Sequence, residues 1–165
     1  MKHLLDSNTL IEAKNRYYSM SFCPAYWQWI LMQNQALEVA SISLVAEELG
    51  RGNDDLAQWS HDNRDMFLAV DDEATQQAYA SIVASIAARA PQMKIGAFED
   101  FLSGADPWLI AKAMATGAVV VTHESYDVNA RRKFLIPNVC EEFHVSWINT
   151  FELLHKLDAR FVLAG

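Results

Sequence analysis

The chain has 165 residues, 52% of them hydrophobic and 21% charged, which suits a folded chain with an ordinary core and excludes a disordered or low-complexity one. Asp plus Glu number 21 against 13 Lys plus Arg, a net charge of −8, so the protein is not built to coat nucleic acid through bulk charge; it can meet nucleic acid only locally, where bound cations offset acids in a cleft. Cys23 and Cys140 stand far apart with no C-x-x-C and the five histidines have no zinc-type spacing, which excludes a disulfide framework and a zinc ribbon and suits a reducing cytoplasm.

In chain order, "MKHLLDSN" has only two leucines before an acid, too short for the apolar stretch of a secretory signal, and no later run reaches membrane-spanning length. "KHLLD" predicts a short first strand ending on Asp6. "SNTLIEAKNR" predicts a first helix opened by Thr9 and Glu12 as a capping box. "CPAYWQWILMQNQAL" predicts a second helix with Pro24 in its first turn. "EVASISLVAEELGRG" is expected to run as a strand from about Val39 to Ser43 into a short helix that stops at Gly50. A helix over "NDDLAQWSHDNR", a third strand in "DMFLAV" and a long helix with Tyr79, Ile82, Val83 and Ile86 on one face follow. "ADPWLIAKAMATG" predicts a helix with Asp106 as N-cap, Pro107 at its first position and Gly117 as its stop. "AVVVT" is apolar without alternation, as in an interior parallel strand covered on both faces. "FHVSWI" and "NTFELLHKL" predict the last strand and helix. Strands alternating with helices give an α/β fold: one domain over residues 1–165, with a parallel sheet of about four or five strands flanked by helices on both faces.

Acids recur where such a sheet gathers ligands, at strand carboxyl ends and helix N-termini. Asp6 ends the first strand and, with Thr9 in the capping role, is not needed as a cap. Glu47 and Glu48 follow the second strand. At about 100° per residue, with Val45 and Leu49 marking the buried direction, Glu47 points away and Glu48 lies within about a quarter turn of the core. Asp106 shares the face of Leu109, Ile110, Ala113 and Met114, and Glu124 follows the interior strand "AVVVT" at its carboxyl end. Four carboxylates in one pocket would repel, and a divalent cation removes the conflict. Oxygen ligands without Cys or His at metal spacing point to Mg²⁺ or Mn²⁺.

These segments resemble the PIN-domain family of metal-dependent ribonucleases. "LLDSNTLIEA" is similar to its opening strand with D-x-N, which implies Asp6 as a metal ligand and Asn8 as a supporting group. "ISLVAEELGRG" resembles the second acidic motif and implies Glu48. "ADPWLIAKAMATGAVVVTHE" resembles the last two motifs and implies Asp106 as a ligand and Thr122 as the hydroxyl of a T-x-D signature. Here that signature is Thr122-His123-Glu124, with Glu for Asp, and Asp127 three residues on is the alternative fourth acid. The aromatic "YYSMSFCPAYWQWI", the "DDLAQW" helix and "IPNVCEEFHV" resemble a PIN-like branch known mainly as a domain of unknown function. The resemblance implies catalysis by Asp6, Glu48, Asp106 and Glu124 on an RNA substrate. It also implies a VapC-type toxin role, with an antitoxin protein as partner.

"NARRKFLIP" offers Arg131, Arg132 and Lys133 as RNA phosphate contacts, against the simpler reading of a solvated loop. Tyr17, Tyr18, Tyr26, Trp27 and Trp29 fit a core cluster or homodimer contact better than a base-stacking surface. Two other functions fit less well. One is a non-catalytic PIN-like binding module, its metal site weakened at Glu124. The other is a haloacid-dehalogenase-like phosphohydrolase, for which "DSN" lacks the second acid.

Overall fold

The computed structural model describes residues 1–164. Five short strands form one parallel sheet in the order β3-β2-β1-β4-β5. They are β1 (His3–Leu5), β2 (Val39–Ile42), β3 (Phe67–Leu68), β4 (Val119–Val121) and β5 (Trp147–Ile148). β1 and β2 are buried along their whole length, and their polar members, His3 and Ser41, are each bonded to a backbone carbonyl. The strand order reverses between β1 and β4, where Leu5 pairs with Val121, and this is where a doubly wound sheet opens a crevice at its carboxyl edge.

The helices are α1 (Ser7–Glu12), α2 (Pro24–Gln35), α3 (Ser43–Gly50), α4 (Asp55–Asp62), α5 (Glu73–Arg89), α6 (Ala97–Ser103), α7 (Asp106–Thr116), α8 (Ile136–Glu142) and α9 (Thr150–Lys156), with a π-helical turn over Ala13–Tyr17. α7 packs on β2, β4 and α5, and Tyr79 stacks on Trp108 with ring centroids 3.7 Å apart, which fixes the rotation of α7. Gly117 ends α7 at φ 74°, a left-handed conformation that costs any residue with a Cβ. Gly117→Ala is therefore expected to lower stability by about 1 kcal/mol. A thermal melt checks this, and no change in the melting temperature would mean that the turn relaxes.

Several expectations need correction. The first helix opens two residues before Thr9: Asp6 holds the N-cap position, while Thr9 is buried within α1 and its hydroxyl donates to the Asp6 carbonyl at 2.6 Å. Thr9 and Glu12 therefore form no capping box. Asp106 is the first residue of α7, with Ala105 before it, and is not its cap. The third and last strands shrink to two residues each, because the sheet edges leave Ala69 and Val145 outside the ladder. Tyr26, Trp27 and Trp29 are core, with Tyr18 stacked on Tyr26 at 4.5 Å. No helix among the described residues is long and apolar enough to cross a membrane.

Candidate active site

The carboxyl ends of β1 and β4 lie side by side because the Asp6 backbone N–H donates to the Val121 carbonyl at 3.0 Å. Asp6 occupies an N-cap position, yet its carboxylate makes no cap hydrogen bond. It turns instead into the crevice, where Thr122 Oγ1 donates to Oδ2 at 3.2 Å and Ser7 Oγ lies 3.4 Å from Oδ1. Only 2% of Asp6 is exposed. Burial, followed by the charge of Glu124, pushes its carboxyl up to about 6, although the Thr122 hydroxyl pulls the other way.

Asp106 faces it from the first turn of α7. Among the described residues nothing donates a hydrogen bond to its carboxylate. Burial and the charges of Asp6, Glu124 and Glu48 push it up to about 8, with Lys133 opposing. Glu48 enters from α3: Oε2 accepts from Ser7 Oγ at 2.8 Å and Oε1 from the Ala105 N–H at 2.8 Å, so it links the starts of α1 and α7. Glu47 is exposed, and helical phase separates the two acids as expected.

Glu124 follows Thr122, whose hydroxyl accepts from the Glu124 N–H at 3.1 Å. Its Oε1 accepts from Lys133 Nζ at 2.7 Å and its Oε2 from the Ile136 N–H at 2.8 Å. Asp127 lies apart in an exposed turn, its Oδ1 accepting from the Asn129 N–H at 2.9 Å. The Asn8 side chain is exposed, and it is the Asn8 backbone that bears on the Asp6 carboxyl, pulling it downward against burial. Of the basic run, only Lys133 reaches the acids. Arg131 bonds the Val128 and Ala130 carbonyls, and Arg132 is exposed.

Ser7 is the site residue that sequence reasoning passed over. Its position directly after a strand-ending acid, in the first turn of a helix, was the available signal. A depression of about 220 Å³ lined by Ala97, Asp100, Phe101, Asp106, Lys133 and Phe134 opens the site to solvent. Among the described residues no three His, Cys, Asp or Glu side chains form a ready-made metal cage, because Glu48 and Glu124 are turned to protein donors.

A family model described as a domain of unknown function, DUF4411, matches residues 3–161. The chain belongs to this family. Among solved structures, this DUF4411 chain is similar to one in the crystal structure of VapBC2 from Rickettsia felis bound to a DNA fragment from their promoter. The TM-score is 0.52 at 16% identity, over 90% of this chain and 98% of that one, a likeness that shows the fold. No curated protein matches the DUF4411 chain.

Proposed function

We propose that this chain is a PIN-type, divalent-cation-dependent endoribonuclease acting in the cytoplasm as the toxin of a toxin–antitoxin pair. The observation that carries the reading is the pair Asp6 and Asp106. Two carboxyl groups face each other at the switch point of the sheet, and both are pushed upward by burial and neighbouring acids. The donor set fits Mg²⁺ or Mn²⁺: the groups are hard oxygens, and among the described residues Lys133 is the one ammonium bonded to any of the four acids. Asp6, Asp106 and Glu48 would hold such an ion. When bound, it supplies Lewis-acid neutralisation of the charge that builds on phosphodiester oxygens.

The protein's own residues prepare that chemistry. Thr122 fixes the direction of the Asp6 carboxylate, and the Ala105 N–H with the Ser7 hydroxyl fixes that of Glu48. Burial and the neighbouring acids raise the Asp106 carboxyl, so positive charge in the cleft would favour its ionised form. In this reading the attacking group is water: the Ser7 and Thr122 hydroxyls are committed to carboxylates, and burial pushes the Cys140 thiol up, with Glu124 adding to it. The toxin role is supported by the PIN-like motifs and by the fold shared with a VapBC2 chain.

Incubating the purified protein with total RNA should yield fragments in Mn²⁺ or Mg²⁺ and none in chelator. Intact RNA at millimolar Mn²⁺ and neutral pH, with no heat of Mn²⁺ binding by calorimetry, would overturn the reading and leave a non-catalytic binding module.

A further inference from the structure

The four acids are not equivalent toward a cation. Asp106 accepts no hydrogen bond among the described residues, and the side-chain donors near Asp6 are neutral hydroxyls, at 3.2 and 3.4 Å. Both can turn to an ion without stranding a charged partner. Glu124 cannot. One of its oxygens lies 2.7 Å from the Lys133 ammonium and the other 2.8 Å from the Ile136 N–H, on a side chain only 12% exposed. Turning Glu124 onto a metal would break an ion pair and leave a backbone donor without a partner.

The positive charge is already in place. Lys133 also acts electrostatically on Asp106 and Asp6, and it lines with Asp106 the depression that opens the site. An ammonium carries three donors, and Glu124 takes one, which leaves two for the oxygens of a phosphodiester. Its neighbours in the basic run are directed elsewhere, Arg131 to backbone carbonyls.

We propose that Lys133 is the second cation of this site: one divalent ion on Asp6 and Asp106, joined by Glu48 through the Oε2 that only the rotatable Ser7 hydroxyl holds while Oε1 stays on the Ala105 N–H, and the Lys133 ammonium, anchored by Glu124, where a two-ion enzyme would hold another. The proposal rests on the nuclease reading above. Glu124 then positions a lysine and is not a ligand. This gives the Glu-for-Asp exchange a physical purpose, since the longer side chain reaches Lys133 and the start of α8 together.

Calorimetric Mn²⁺ titration of the full chain, paired with RNA cleavage over a range of Mn²⁺, tests this in three proteins. Wild type should bind one ion. Lys133→Met, losing an exposed side chain, should fold normally, bind the first ion about tenfold more tightly and take up a second at higher concentration. Its cleavage should fall by about 30-fold at low Mn²⁺ and recover in the range where the second ion binds. The double variant Lys133→Met with Glu124→Gln keeps the net charge of the pair, and should bind one ion within about threefold of wild type. Two ions in wild type would overturn the proposal while leaving the nuclease reading intact. So would lost binding in the double variant, or a Lys133→Met that matches wild type in stoichiometry and cleavage. No Mn²⁺ binding by wild type would overturn both.

Discussion

Asp106→Asn is expected to lower metal-dependent RNA cleavage by on the order of 10²–10³-fold while leaving the protein folded, and Asp6→Asn to do the same. Asn keeps the shape of each side chain and, at position 6, still accepts the Thr122 hydroxyl, so only charge is removed. The same variants report on stability. Both carboxyls have folded pKa values raised above the ordinary 3.8, to about 6 for Asp6 and about 8 for Asp106. A raised carboxyl favours the folded state while it is protonated, and that stabilisation is lost as pH rises toward its folded value. In chelator, wild type should therefore melt at a lower temperature at pH 8 than at pH 5. Asp106→Asn should flatten the dependence and raise stability at pH 8 by about 1–2 kcal/mol, several degrees in Tm. Cleavage at the wild-type rate by either variant at matched Mn²⁺ would remove that residue from the site. A wild-type melt independent of pH would show that the acids do not repel.

The sheet and the convergence of its acids were legible because they follow from chain-wide rules. An unbroken Val119–Val121 run demands cover on both faces, and parallel topology then places Asp6, Glu48, Asp106 and Glu124 on one edge. Local signals misled where two competed within one turn. Thr9-x-x-Glu12 matches a capping box, but Asp6 lies close enough upstream to begin the helix first. α6 and α8 have seven residues each, too few for a clear apolar period. α8 also opens after Leu135, a poor cap, and its Ile136 N–H is satisfied by Glu124 from twelve residues away. That contact, like the Lys133 pairing, belongs to tertiary structure and leaves no mark in residue spacing. The basic run could be seen in the sequence, but not which of its three members faces the acids.

Glu48→Gln is expected to reduce cleavage by about 10–100-fold, whereas Glu47→Gln should stay within about twofold of wild type. The contrast comes from one helical step, since Glu47 is exposed and Glu48 is bound to Ser7 and Ala105. Gln at position 48 can satisfy both partners: its carbonyl accepts the Ala105 N–H, and its amide donates to Ser7 Oγ, which remains free to donate to Asp6. The substitution therefore removes charge and little else, and the melting temperature should hold. Glu48→Ala separates the two roles. It strands the Ala105 N–H at the start of α7 and should cost about 1–3 kcal/mol of stability in addition to activity. If Gln and Ala lower stability equally, Glu48 serves chiefly to join α3 to α7. If Gln keeps full cleavage, its charge has no part in the chemistry, and the site rests on Asp6 and Asp106 alone.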